Sequence, residues 1–185
     1  MNFANGNPVP LPAGAMKTYG GSAVISDKVT GELLFYTNGR NIWNRNHRLM
    51  PNGQDFPASC TNLSSQPALI LPIPGRENIF YVFASYFSTA EYGESHPANC
   101  ITHPGRDYTL TVRCSIVDMQ LDNGLGDVVT THKNILLQQN ATEKLTAIPH
   151  RNGRDFWLLT HAWNSNAFYI YLITEEGISP PWCSI

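Results

Sequence analysis

At 185 residues the chain is long enough for one ordinary domain with its own hydrophobic core. Apolar residues make up 42% of it but charged residues only 14%, well under the roughly one quarter of typical soluble domains, so its polar surface rests on Asn, Ser, Thr and Gln. A net charge of −2 with dispersed lysines and arginines argues against nucleic acid or an anionic membrane as a partner, and no apolar run approaches the roughly 18 residues of a membrane span.

The first residues, Met1-Asn2-Phe3-Ala4-Asn5-Gly6, carry neither the charged nor the apolar part of a secretion signal. The export argued below therefore expects a signal outside this chain. From there on, short apolar runs rich in β-branched and aromatic residues alternate with Gly, Pro, Asn and Asp. In order they are Ala23-Val24-Ile25, Leu33-Leu34-Phe35-Tyr36, Asn41-Ile42-Trp43-Asn44-Arg45, Ala68-Leu69-Ile70-Leu71 and Ile79-Phe80-Tyr81-Val82-Phe83. A long strand is predicted over 108–119 and a shorter partner at 135–137. The last strong runs are Leu145 to Pro149, Phe156-Trp157-Leu158-Leu159 and Phe168 to Ile173. Each is of strand length and none holds a helical period, so the chain is read as all-β. Continuous apolar runs in place of clean alternation predict strands covered on both faces, as in stacked sheets.

A strand–turn–strand unit recurs three times, with polar turns at 28–32, 74–78 and 151–155. Superposing Phe35, Phe80 and Trp157 gives a first step of about 45 residues and a second about 30 longer. The first is the length of a four-stranded propeller blade, and a long loop insertion at about 85–107 absorbs the excess of the second. The fold expected is one β-propeller-like domain over 1–185, of about three to four blades. That is fewer than a closed ring usually holds, so an incomplete propeller is expected, with a β-sandwich as the alternative.

Further along, Ile25-Ser26-Asp27, Leu33 to Gly39, Trp43-Asn44-Arg45-Asn46-His47 and Met50-Pro51-Asn52-Gly53 form an ordered series. It continues through Ser64-Ser65-Gln66, Val117-Asp118-Met119, Gly124-Leu125-Gly126-Asp127, Glu143 to Ala147 and His161 to Asn166. The series resembles the N-terminal propeller-like region of large secreted Bacteroidetes surface proteins, which often continue into PKD-type repeats and a type IX secretion sorting domain. The resemblance implies a secreted or cell-surface module used in adhesion, glycan contact or display of neighbouring domains. It carries no catalytic residues over. Family members continue past the position of Trp182 with more blades, and the segment 91–104 is longer here than usual.

For contact, the sequence offers Trp43, Asn44, Arg45 and His47, then His161, Trp163, Asn164 and Asn166. Indole faces stack on sugar C–H faces, and Asn or His both donate and accept towards hydroxyls. The competing reading makes the same residues blade corners, with Trp packed between sheets and Asn closing turns. The function expected is non-catalytic binding or scaffolding at a cell surface, with a protein or glycan partner and self-association through open blade edges. Two rivals stand beside it: a glycan-cleaving enzyme using Asp27, Asp118 or Glu143, and a structural subunit of an extracellular assembly.

Asp122 to Asp127 gathers oxygen ligands with glycines, yet it lacks EF-hand spacing and reads as a turn. Neither HxH, HExxH, CxxC, GxSxG nor a phosphate-binding loop occurs, so no metal and no cofactor is expected. Cys60, Cys100, Cys114 and Cys183 are compatible with a bridge from Cys100 to Cys60 or Cys114, or with free thiols. Asn62-Leu63-Ser64 and Asn140-Ala141-Thr142 match the N-glycosylation pattern, which matters only in a eukaryotic host.

Overall fold

The structure, a computed structural model, describes residues 14–18, 20–54, 56, 65–87 and 110–184. It is all-β, built from antiparallel sheets that do not close into a barrel. The first sheet is a meander of β1 (Ala23–Ser26), β2 (Leu33–Thr37) and β3 (Ile42–Asn44). Trp43 adds a bridge to Leu49 along its free edge.

The remaining strands form one hydrogen-bonded path: β4 (Ala68–Pro72), β5 (Ile79–Phe87), β6 (Leu110–Asp118), β8 (Ile135–Pro149), β9 (Phe156–Ala162), β10 (Phe168–Thr174) and β11 (Gly177–Ile178). Short β7 (Asp127–Val128) pairs with β6, and β12 (Trp182–Ser184) pairs with β10. The 15-residue β8 turns this path back on itself. Its first half pairs with β6 from Ile135 to Ala141, and its second half pairs with β9 from Ala141 to Pro149. The register breaks between Ala141 and Leu145, where the strand bends. The sequence expectation of a short strand at 135–137 separate from Leu145–Pro149 is thus corrected: both belong to one strand whose polar middle, Gln138 to Lys144, follows the bend.

Two apolar cores show how the layers stack. Phe35 and Ile42 of the first sheet meet Ala68, Ile70, Phe80, Val82, Ala84 and Val117 in one. Leu71, Tyr81, Phe83, Val112 and Cys114 meet Leu145, Leu158, Tyr171 and Ile173 in the other. Along β5 the even positions 80, 82, 84 and 86 serve the first core, and Tyr81 and Phe83 serve the second. The strands β4, β5 and β6 of the middle sheet are therefore covered on both faces, as their unbroken apolar runs predict, while the first half of β8 at its edge leaves Ile135 and Leu136 exposed. The third sheet, β9 and β10 with the second half of β8, covers it from the other side.

This layering corrects the superposition of Phe35, Phe80 and Trp157. Phe35 points forward into the first core and Phe80 points back against it, the rings meeting edge to face at 5.4 Å. The position of the middle sheet that points forward, towards the third, is Tyr81. A one-residue slip exchanges the two faces of a strand, and strands apolar on both faces hide it.

The predicted turns close as hairpins. Asp27 Oδ1 accepts the N–H groups of Val29 and Thr30 at 2.8 and 2.7 Å, and Gly31 takes the left-handed φ of 72° that the turn needs. Asn152 repeats the device, accepting from the N–H groups of Arg154 and Asp155. The 119–126 segment is likewise a turn, returning β6 to β7 through left-handed Asp122 and Asn123. Of the proposed insertion, residues 85–87 belong to β5. Residues 88–109, Cys60 and Cys100, and Asn62-Leu63-Ser64 lie outside the described residues.

Candidate functional site

The corner after β3 holds four of the predicted contact residues, of which Trp43 and Asn44 are buried, His47 is partly buried and Arg45 is exposed. Trp43 is buried and stacks on Tyr36 at 5.5 Å, the planes within 11°. Asn44 turns its side-chain oxygen to the N–H groups of Asn46 and Arg48. Arg45 donates through Nη2 to the Gly124 carbonyl at 2.6 Å, fastening the corner to the turn after β6. His47, in a left-handed conformation, shares a 3.0 Å hydrogen bond between Nδ1 and the Tyr36 hydroxyl. Asn44, Arg45 and His47 thus each commit one polar atom to contacts within the protein, which supports the structural reading of this motif.

The second group differs. Trp163, Asn164 and Asn166 are exposed in the turn between β9 and β10, with Asn164 at a φ of 47° and the Trp163 N–H anchored on the Asn140 carbonyl. His161 lies at the end of β9 with its ring against Phe168, centroids 4.7 Å apart. The two predicted groups thus occupy different sheets, the first exposing Arg45 and the second exposing Trp163, Asn164 and Asn166.

Each carboxylate weighed for catalysis has a partner. Backbone N–H groups of Thr30 and Val29 hold Asp27 below the usual carboxylate range. Asp118 accepts from the Gln120 N–H, and Glu143 from Ser65 and Lys144. Asp118 is at one end of β6, while Leu110 at the other end pairs with Ala141, next to Glu143. At ~3.3 Å per residue Asp118 and Glu143 are on the order of 25 Å apart, well outside the spacing of catalytic carboxylate pairs.

A cleft of about 580 Å³ opens between the middle and third sheets, floored by Tyr81, Cys114 and Tyr171 and rimmed by Arg76, His132 and Glu175. Burial pushes the Tyr171 hydroxyl up to about 12 and raises the Cys114 thiol and the Tyr81 hydroxyl. These groups keep their protons at neutral pH, which suits an inert wall and not a nucleophile. Cys114 is a free thiol turned into the second core, and the bridge expected from Cys100 falls on a residue outside the described ones. Cys183 is free and exposed.

The surface that sequence reasoning missed is the outer face of the third sheet. Ile148, Trp157, Leu159, Ile170 and Trp182 line a shallow groove of about 350 Å³ there. Trp157 meets Trp182 edge-on at 5.6 Å and the His150 ring at 5.2 Å. Their strand neighbours Leu158, Tyr171 and Ile173 point the other way, into the second core. The signal was present in the sequence as Trp157-Leu159 and Phe168-Ile170 at alternating positions. It was absorbed into the expectation that such runs are covered on both faces.

Among the described residues, no group of three or more His, Cys, Asp or Glu side chains is placed to hold a metal ion, and no helix is long and apolar enough to cross a membrane. No protein-family model, curated protein or solved structure matches the chain.

Proposed function

We propose that the chain is a non-catalytic recognition and scaffold module of an exported, cell-surface protein, made of propeller-type blades in an open stack. Three antiparallel meanders in sequence support the blade reading. They are β1 to β3 with the Leu49 bridge, β4 to β6 with the first half of β8, and the second half of β8 through β12. The resemblance of the ordered motifs to those of secreted Bacteroidetes surface proteins supports export. The observation that carries the functional reading is the contrast between the two faces of the third sheet: one is packed in a core, and the other leaves Trp182 and Phe168 about half exposed beside Trp157. A stack that leaves one aromatic face open is suited to contact.

Glycan contact belongs to the exposed turn at Trp163, Asn164 and Asn166, where an indole and two amides stand beside one another. Glycan cleavage draws no support from the carboxylates, since Asp118 and Glu143 lie at opposite ends of the middle sheet. Binding to a glycan array, paired with a hydrolysis assay on the same glycans, tests the reading. Signal retained by Asp118→Asn and lost in Trp163→Ala is expected. Release of sugar that depends on Asp27, Asp118 or Glu143 would overturn it.

A further inference from the structure

Asn-Gly is the dipeptide most prone to lose its side-chain amide, because glycine has no Cβ to shield its own nitrogen. Four such pairs fall among the described residues: Asn38-Gly39, Asn52-Gly53, Asn123-Gly124 and Asn152-Gly153. The fold locks three of them. Asn38 is buried and its Oδ1 accepts the N–H groups of Arg40 and Asn41, while the Gly39 N–H is bound to Thr37 Oγ1 at 2.9 Å. Asn52 donates its amide to Asp127 at 2.6 Å, and the Gly53 N–H goes to the Met50 carbonyl. Asn152 donates to Asp155 at 2.7 Å and accepts from the N–H groups of Arg154 and Asp155, with the Gly153 N–H on the His150 carbonyl. Asn123 stands apart. It is exposed in the turn that returns β6 to β7, and among the described residues its side chain has no hydrogen-bond partner.

We infer that Asn123 is a site of spontaneous deamidation, gated by Arg45. The Gly124 nitrogen, giving its proton to solvent base, bonds to the carbonyl carbon of the Asn123 side chain. Ammonia leaves and a five-membered imide remains. Water then opens the imide at either carbonyl, to aspartate or to isoaspartate, so that one water enters and one ammonia departs. In the closed turn Asn123 has a ψ of 36°, which sets the Gly124 nitrogen nearly opposite the Asn123 Cβ across the Cα–C bond. Ring closure therefore waits for the turn to open. The turn is held shut by the Leu125 N–H on the Asp122 carbonyl at 3.1 Å, the Gly126 N–H on the Leu121 carbonyl at 3.0 Å, and Arg45 Nη2 on the Gly124 carbonyl at 2.6 Å. The last of these comes from the corner after β3, so a residue of the first layer sets how often a turn of the second one opens. Either product adds a negative charge next to Asp122, and isoaspartate also lengthens the main chain by one carbon and shifts the Gly124 carbonyl off Arg45.

Peptide mapping by mass spectrometry tests this on the full chain, aged at mildly alkaline pH with and without urea. In the folded protein the peptide holding Asn123 should gain the mass of amide-to-acid conversion ahead of those holding Asn38, Asn52 and Asn152, and an isoaspartate methyltransferase should label it. In urea the four should convert at similar rates, since the dipeptide is the same. Asn123→Gln should abolish the early conversion. Arg45→Ala should speed it about fivefold, the factor that losing one ordinary hydrogen bond gives to an opening equilibrium, and should leave the other three sites unmoved. Equal rates at all four in the folded chain, or earlier conversion at Asn38, Asn52 or Asn152, overturns the site. An unchanged rate in Arg45→Ala, or an equal acceleration at all four, overturns the gate.

Discussion

Asn52 donates its backbone N–H and its side-chain amide to the two oxygens of Asp127, at 2.8 and 2.6 Å. Asn52 follows the first sheet and Asp127 opens β7 on the middle one, so the pair joins the loop of one layer to the edge of the next. Asp127 is buried and also receives the N–H of Val128. A buried carboxylate must keep its donors, because losing one leaves an acceptor desolvated without return. Asn52→Ala is therefore expected to lower stability by about 1–3 kcal/mol, read as a lower urea midpoint with an unchanged slope.

The corner after β3 is expected to behave as structure. Trp43 fills the space against Tyr36, and its removal leaves a large void, so Trp43→Ala should cost about 3–5 kcal/mol. Arg45→Ala loses one charge-assisted bond at an exposed position and should cost about 1 kcal/mol or less. Urea unfolding of the two variants checks the ranking. Neither is expected to change glycan binding under conditions where the variant is folded.

What the sequence showed and what it hid divide along a physical line. Strand positions and turns were legible because their signals are local: Asp27 and Asn152 close their turns on N–H groups two and three residues away. The identity of the face was not. In β5 both parities are apolar, so Phe80 and Tyr81 were interchangeable until the layers on either side were known. The fate of Trp43 and Trp163 depended in the same way on contacts far along the chain. Both are indoles beside Asn, yet Tyr36 covers one and the other stands at an open turn. The bend in β8 had only a weak mark, the polar run Gln138 to Lys144, which also reads as a loop between two strands.

Acid should act through the turn between β8 and β9. Asn152 donates to one oxygen of Asp155 at 2.7 Å and Arg154 to the other at 3.1 Å, and these bonds hold its carboxyl below the usual carboxylate range. A carboxyl depressed on folding lends stability that is present above its unfolded value of about 3.9 and fades as pH falls through the lower folded value. Urea midpoints should hold down to about pH 4 and then decline. In Asn152→Ala the decline should be shallower, whatever the variant's stability at neutral pH.

Alkali should act through the cleft between the second and third sheets. The Tyr171 hydroxyl lies 3.3 Å from Gln138 Oε1, and burial pushes it up to about 12. A phenol raised on folding contributes stability that is full below its unfolded value of about 10 and is lost as pH rises towards the folded one. The wild-type urea midpoint should fall between about pH 10 and pH 12, and Tyr171→Phe should lessen the slope there. An unchanged slope would assign the alkaline loss to other phenols, with buried Tyr86, also raised, the next to replace.

The opposite faces of the third sheet should differ in what they lend to stability. Leu158 is fully buried in the second core, and truncating it removes contacts that the rigid layers cannot close over. Leu158→Ala should cost about 2–5 kcal/mol. Ile148 faces outward on the strand paired with β9, opposite Trp157, and is half exposed, so Ile148→Ala removes little that the isolated chain uses. Its effect on unfolding should stay within about 0.5 kcal/mol. Urea unfolding of both variants beside the wild type makes the distinction directly. Leu158→Ala should lower the midpoint markedly, and Ile148→Ala should leave it nearly in place, because only the first opens a void between packed layers.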